Sequence, residues 1–275
     1  MGNEHTEFTG EVDAHMEAIP IIDPGMIAKL PPGASVSSIV AHGASFWTRT
    51  ARLDAELGGA EQSYFLKMSF GECGKMMMSG EFHCMTKIYS IMPDLVPKPI
   101  ARGTYSSIPD VHFFLCDFRP MTDGLPDLET FPEKMGGDMH RTGVSQNGKF
   151  GFDVTTFHGN IPVEHDWSDT WEEYFTRKTR ALFELEQEAQ GQNEEIRKLM
   201  IPFFEKVVPH LLRPLIETGG RSIQPSLIHG DLWHDELGVW RQPWNKIKKD
   251  YRMRYYRKRF PKSQPEGDYD DRNAL

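Results

Sequence analysis

The sequence predicts an α+β chain in two lobes, a small β-rich lobe followed by a larger helical one. Three observations carry that expectation. Residues 36–70 are short strand-like runs separated by Gly turns. One helix-period segment and two more strand-like runs follow, up to residue 118. Beyond it the texture changes to long segments of helical period. A chain of 275 residues suits one large domain or two small lobes, with ample core. Its 39% hydrophobic and 26% charged residues are normal for a globular protein.

Taken in order, residues 1–34 end in Pro31, Pro32 and Gly33 and read as a leader. The first twenty are acidic and carry no apolar core, which excludes a secretory signal. MGNEHT matches the bare myristoylation pattern through Gly2 and Thr6, with Glu4 a poor neighbour. VSSIVAH (36–42) turns at His42 and Gly43 into FWTRTARLDAEL (46–57). Gly58-Gly59 then makes a hairpin with QSYFLKMSF (62–70). In 79–92, Phe82, Met85, Ile88, Tyr89 and Met92 recur at helical spacing, and Pro93 closes the helix. PIARGTYSSI and HFFLCDF complete a β-β-β-α-β-β lobe over 35–118. In the helical lobe, 119–275, Trp171, Tyr174, Phe175, Leu182, Leu185 and Ala189 form a stripe on a helix over 170–190. A second helical run over 193–217 should break at Pro202 and Pro209.

Charge and cysteine usage exclude several function classes. The net charge is −9, a poor match to nucleic acid. No apolar run approaches the ~18 residues of a membrane helix, so stable membrane association is not expected. Residues 241–260 hold nine Lys/Arg against one Asp, leaving 22 basic against 39 acidic residues elsewhere. In 246–260, Ile247, Tyr251, Tyr255 and Tyr256 would stripe a basic helix. That helix reads as a solvated surface, with contact to anionic lipid, nucleic acid or calmodulin as the alternative. Cys73, Cys84 and Cys116 are odd in number and lack CxxC spacing, which argues against a disulfide scaffold or zinc site and for the reducing cytoplasm.

Phosphoryl transfer from ATP needs a cover over the phosphates, a cation on them, a divalent metal and an oriented nucleophile. The turn AHGASFW supplies Gly43, Ala44 and Ser45, whose amides could face phosphate; a plain hairpin turn is the alternative. Lys67 sits among apolar strand residues in YFLKM and requires a partner. Glu81 near the start of the next helix would hold it as a phosphate-binding cation, and an edge-strand lysine reaching water is the alternative. SLIHGD leads from a strand-like run into His229-Gly230-Asp231. There Asp231 is the candidate base, and His229 would pack and hydrogen-bond within the loop. A plain turn is the competing reading. Trp233 offers a flat apolar face for a sugar ring, though a core tryptophan is the commoner fate.

YFLKM with GEF, VPKPIARGTY, KFGF, TWEEYF, HGDLW and DDRNAL, in this order from about residue 36, resemble the fructosamine 3-kinase / ketosamine 3-kinase family in its fungal form. The resemblance implies a bilobal protein-kinase-like fold, akin to aminoglycoside phosphotransferases and choline kinases. It implies ATP-dependent phosphorylation, with magnesium, of the sugar 3-hydroxyl of ribulosamine or fructosamine on glycated proteins or small ketosamines, a deglycation step. It gives Lys67 and Glu81 the ion-pair roles and Asp231 the base role. Cys116, Asp117 and Phe118 of LCDF become the hinge against adenine, and Trp233 a substrate contact.

The chain departs from that family after His234. The family continues HGDLWxGN and then an apolar hairpin ending in Asp, and its Asn and second Asp hold magnesium. Here Asp235 and Glu236 stand at the Gly-Asn positions and the hairpin is absent, a gap of roughly 25 residues by the phosphoryl-transfer template. Asp235 and Glu236 are weak metal candidates, and Asp250 lies in a basic stretch unlike a buried strand. The run DDRNAL at Leu275 resembles the middle of a helix, as though the C-terminus were truncated. The expectation is therefore a ketosamine kinase with impaired catalysis. A non-catalytic nucleotide-binding scaffold is the alternative, as is a kinase of an aminoglycoside or choline-like alcohol.

Overall fold

A computed structural model of the chain describes residues 21–43, 45–122, 127, 130–217, 223–230 and 261–272. They form two compact units. The first draws on Met1–Thr86, Pro97–Pro120 and Thr156–Pro162, the second on Lys87–Val96, Met121–Thr155 and Val163–Leu275.

The first unit is a five-stranded antiparallel sheet made of β1 (Ser35–Ala41), β2 (Arg49–Leu57), β3 (Ala60–Phe70), β4 (Pro99–Thr104) and β5 (Val111–Asp117). Its order is β1-β2-β3-β5-β4, so the two hairpins meet at β3 and β5. The period-two alternation of the strands separates two faces. Ala51, Leu53, Tyr64, Leu66, Met68, Phe113 and Leu115 build the core on one face. On the other, Phe114 and Cys116 pack with Met78 of α2 (Gly71–Ile91), flanked by Phe65, Phe82 and Met85. β5 is thus buried on both faces, which is why HFFLC lacks alternation.

Three expectations change here. Residues 21–34, read as the end of a leader, are built into the sheet's core. The short helix α1 (Pro24–Ile27) buries Met26, and Leu30 follows it into the same cluster. The signal was the Asp23-Pro24 start, an N-cap followed by proline at the first helical position. β2 begins at Arg49 rather than residue 46, because Ser45 accepts from the Thr48 hydroxyl at 2.9 Å and from the Trp47 amide, holding 45–48 in a turn. α2 begins at Gly71, eight residues before the expected start at 79. Gly74 within it is a packing glycine: a Cβ there would lie 2.7 Å from the Ser69 carbonyl carbon.

The second unit is mainly helical. α3 (Thr130–Glu133) passes into a π-helical turn, Lys134–His140, that buries Met135 and Met139 against Ile88 and Met92. The Gly-rich MGGDMH concealed this element from sequence reading. A hairpin of β6 (Thr156–His158) and β7 (Ile161–Val163), which belongs to the first unit up to Pro162, comes next in the chain. α4 (Trp171–Gln190) starts with a full capping box, Thr170 and Glu173 each bonding the other's backbone amide. Asn193 caps α5 (Glu194–Pro202), which passes through a π-helical turn at Phe203–Val207 into α6 (Val208–Leu212) and then α7 (Pro214–Glu217). Pro202 therefore shifts the helix to a π turn instead of ending it. Pro209, the second residue of α6, lies inside this continuous helical run, so the break expected there does not occur either. The apolar face of α4 is Trp171, Phe175 and Phe183, joined to Phe204, Val208 and Leu212. Leu182 and Leu185 of the expected stripe are exposed, because successive four-residue steps from Phe175 lead through Thr179 to Phe183 and then to the buried Gln187.

Candidate nucleotide and phosphoryl-transfer site

The two chemistry-bearing residues of the β-rich unit meet. Leu66 and Met68 point into the core, so alternation turns Lys67 to the opposite face of β3, the face covered by α2. Glu81, in the middle of α2, receives it: Lys67 Nζ lies 2.7 Å from Glu81 Oε2, with the side chains 25% and 31% exposed. A lysine in an apolar strand thereby gains the charge partner its surroundings demand. Water still reaches the pair, so an incoming anion can too.

The turn between β1 and β2 is closed by the His42 amide, which donates to the Thr50 carbonyl, and by the Thr50 hydroxyl, which donates to the His42 carbonyl. Gly43 has φ +78°, a left-handed conformation that favours glycine. Ala44 lies outside the described residues. The Ser45 hydroxyl is engaged in shaping the turn.

Cys116 and Asp117 end β5 beside β3, with Cys116 opposite Phe65, and Phe118 follows the strand. Burial, reinforced by the nearby Glu81 and Asp117 carboxylates, pushes the Cys116 thiol up to about 12, so it stays protonated at neutral pH. The Asp117 amide donates to the Lys98 carbonyl at 2.9 Å and the Phe118 amide to the Ser63 carbonyl at 3.0 Å. Two residues that sequence reasoning missed stand beside them. The Arg52 guanidinium lies 4.9 Å from the Phe118 ring centroid, and Asp54 binds Arg52 Nε at 2.7 Å. The alternation of RTARLDAEL was the available signal that Arg52 and Asp54 share a face, and the pairing of β2 with β3 makes it the face of Lys67.

In the helical unit, Ser226 bridges Val144, and the Leu227 amide donates to the Gly143 carbonyl at 2.7 Å. Ile228 and His229 beyond this pairing are exposed. Gly230 has φ +80°. The candidate base Asp231, the candidate substrate residue Trp233, the metal candidates Asp235 and Glu236, Asp250 and the basic stretch 246–260 lie outside the described residues. A cavity of about 540 Å³ is lined by Phe150, Trp167, Trp171 and Tyr174 together with Leu227 and Ile228, the run that leads in sequence to His229. The ion pair Lys87–Asp153, 3.0 Å, borders it. Among the described residues, no three His, Cys, Asp or Glu side chains gather closely enough to hold a metal ion. No described helix is long and apolar enough to cross a membrane.

Comparison with known proteins is decisive for the family. The model of the fructosamine kinase family matches residues 48–250. The chain belongs to the fructosamine kinase family. Among its relatives, Ketosamine-3-kinase of Mus musculus is 26% identical over 189 residues, covering 62% of this chain and 59% of the relative. The chloroplastic Protein-ribulosamine 3-kinase of Arabidopsis thaliana is 26% identical over 182 residues, 64% of this chain and 50% of its own length. The chain thus spans between half and three-fifths of these curated relatives. A crystal structure from Haemophilus somnus 129PT, which carries a provisional fructosamine-3-kinase designation, superposes with a TM-score of 0.66 at 16% identity, covering 87% of this chain and 80% of its own. That likeness shows the fold, the kinase-like α+β architecture of the fructosamine kinase family.

Proposed function

We propose that this fructosamine kinase family chain binds ATP and transfers its terminal phosphoryl group to the sugar 3-hydroxyl of a ketosamine, ribulosamine or fructosamine, at a rate reduced by the missing metal hairpin. The single observation that carries the reading is the 2.7 Å Lys67–Glu81 pair on the α2 face of the sheet. Lys67 would neutralise phosphate charge, with Glu81 fixing its direction. Gly43, Ala44 and Ser45 would cover the phosphates, and Cys116, Asp117 and Phe118 would border the adenine. Asp231 would orient the acceptor hydroxyl and receive its proton. The aromatic cavity beside the 225–228 run offers flat apolar faces of the kind on which sugar rings pack, with Trp233 as a further one. Glycated proteins and small ketosamines in the cytoplasm are the substrates this chemistry fits, and the names of the mouse and Arabidopsis relatives support that class.

Magnesium belongs to this reading through the family alone. The described residues supply no ligand set for it, and no step above passes through it. The replacement of the family's Gly-Asn by Asp235 and Glu236 favours a second reading, a nucleotide-binding protein without turnover.

Incubating the purified chain with ATP, magnesium and a ribulosamine or fructosamine separates the two. Slow transfer that disappears in Asp231→Asn supports the kinase. Transfer no greater than in Asp231→Asn removes it, and ATP-dependent thermal stabilisation without metal then supports the scaffold.

A further inference from the structure

Arg52 occupies an unusual position for a surface arginine. In the β2–β3 register Thr50 stands opposite Lys67 and Arg52 opposite Phe65. Cross-strand partners share a face, so Arg52, Phe65 and Lys67 lie on one side of the sheet. Phe65 and Arg52 sit one pleat, about 7 Å, along the strands from the Lys67 position. A nucleotide whose phosphates reach Lys67 therefore has its base end available to Arg52.

The guanidinium is held in place before any ligand arrives. Its Nε bonds Asp54 Oδ1 at 2.7 Å and its Nη2 bonds the Ser63 hydroxyl at 3.1 Å. Asp54 is secured in turn by Ser63 at 2.7 Å and Ser38 at 3.1 Å. These hydrogen bonds, that from Ser63 foremost, keep the Asp54 carboxyl below the usual range and hence anionic. One side of the guanidinium faces the Phe118 ring, whose own edge contact is the His42 ring at 4.9 Å. The Arg52 side chain is nevertheless 45% exposed. A planar, delocalised cation, fixed at one edge and open to solvent, is suited to stack on a further π-face. The hinge leaves room for such a role, because the Asp117 and Phe118 amides are both spent on sheet carbonyls and give nothing to the edge of a base.

We propose that Arg52 is a specificity-determining residue that binds the purine base of the nucleotide through the face of its guanidinium, with Asp54 and Ser63 as positioning residues. The proposal rests on the nucleotide-binding reading above and adds to it which group recognises the base.

The test measures binding of three probes to the full chain by calorimetry: ATP, adenosine and inorganic tripolyphosphate. Arg52→Ala should weaken ATP and adenosine about tenfold, the scale of one desolvated cation–π contact, and leave tripolyphosphate within about twofold. Arg52→Lys keeps the charge without the plane and should not restore the loss. Lys67→Met should do the reverse of Arg52→Ala, weakening ATP and tripolyphosphate while sparing adenosine. Adenosine binding unchanged in Arg52→Ala overturns the proposal, as does an equal loss of tripolyphosphate or full rescue by Arg52→Lys. If Arg52→Ala fails to fold, Arg52→Lys and Arg52→Gln carry the same comparison. Wild-type chain that binds none of the three probes removes the nucleotide reading itself, whereas wild-type binding of ATP with no Arg52 effect removes this proposal alone.

Discussion

Replacing Asp23 with alanine should remove about 3 kcal/mol of stability from the β-rich unit. The carboxylate is fully buried and accepts five hydrogen bonds. Two come from Gly25 and Met26 amides and cap α1, a feature worth about 1 kcal/mol. Three come from the Ser106 and Ser107 amides and the Ser107 hydroxyl, at 2.9, 2.8 and 2.5 Å, and tie the β4–β5 connection to α1. Charge-assisted bonds of this kind contribute roughly 1.5–3 kcal/mol each when buried. Ser106 and Ser107 are exposed and can turn to water, so about 2 kcal/mol for the three together is the appropriate scale. At about 3 °C per kcal/mol for a chain of this size, the melting temperature should fall by about 9 °C. Thermal melts by circular dichroism at neutral pH measure it. Asp23→Asn, which keeps an acceptor oxygen, should lose about half as much. A melting temperature for Asp23→Ala within about 2 °C of wild type would refute the reasoning, because α1 would then be held by Met26 and Leu30 alone.

The same group fixes a pH signature. Burial alone would raise the Asp23 carboxyl, but the bonds from Ser107, Ser106 and Gly25 outweigh it and leave the folded value below the ordinary 3.8. The stabilisation is therefore complete above pH ~4 and is lost as pH falls through the folded value. Asp23→Ala should flatten this part of the acid unfolding curve, and an equally steep curve in the variant would contradict the assignment. Lys67→Met should lower ATP affinity at least tenfold while costing no more than about 1 kcal/mol of stability, since the Lys67–Glu81 pair is a quarter to a third exposed. Glu81→Gln should weaken ATP less, and a Lys67→Met variant that loses stability but no affinity would mark the pair as a structural prop. Thr170→Ala breaks the capping box of α4 and should cost about 1 kcal/mol, seen as a drop of about 3 °C in melting temperature; no change would mean that packing of Trp171 and Phe175 alone sets the start of the helix.

By itself the sequence determined the order of the elements and the chemistry available to them. Alternation and Gly turns marked the three hairpin strands, helical spacing marked α2 and α4, and the motif string carried the fructosamine kinase family, because these signals are local and periodic. Lys67 and Glu81 were nameable as partners because a lysine inside an apolar strand has few ways to be satisfied. Long-range packing was not legible. Only the tertiary structure shows that α2 starts at Gly71 and not at 79, with the Ser69 backbone lying against Gly74. Only the structure draws residues 21–34 into the core, through Asp23 bonding residues more than eighty positions away. Only strand register sets Arg52 beside Phe118 and on the same face as Lys67, because which side chains share a face of a sheet is decided by pairing between strands and not by either strand alone.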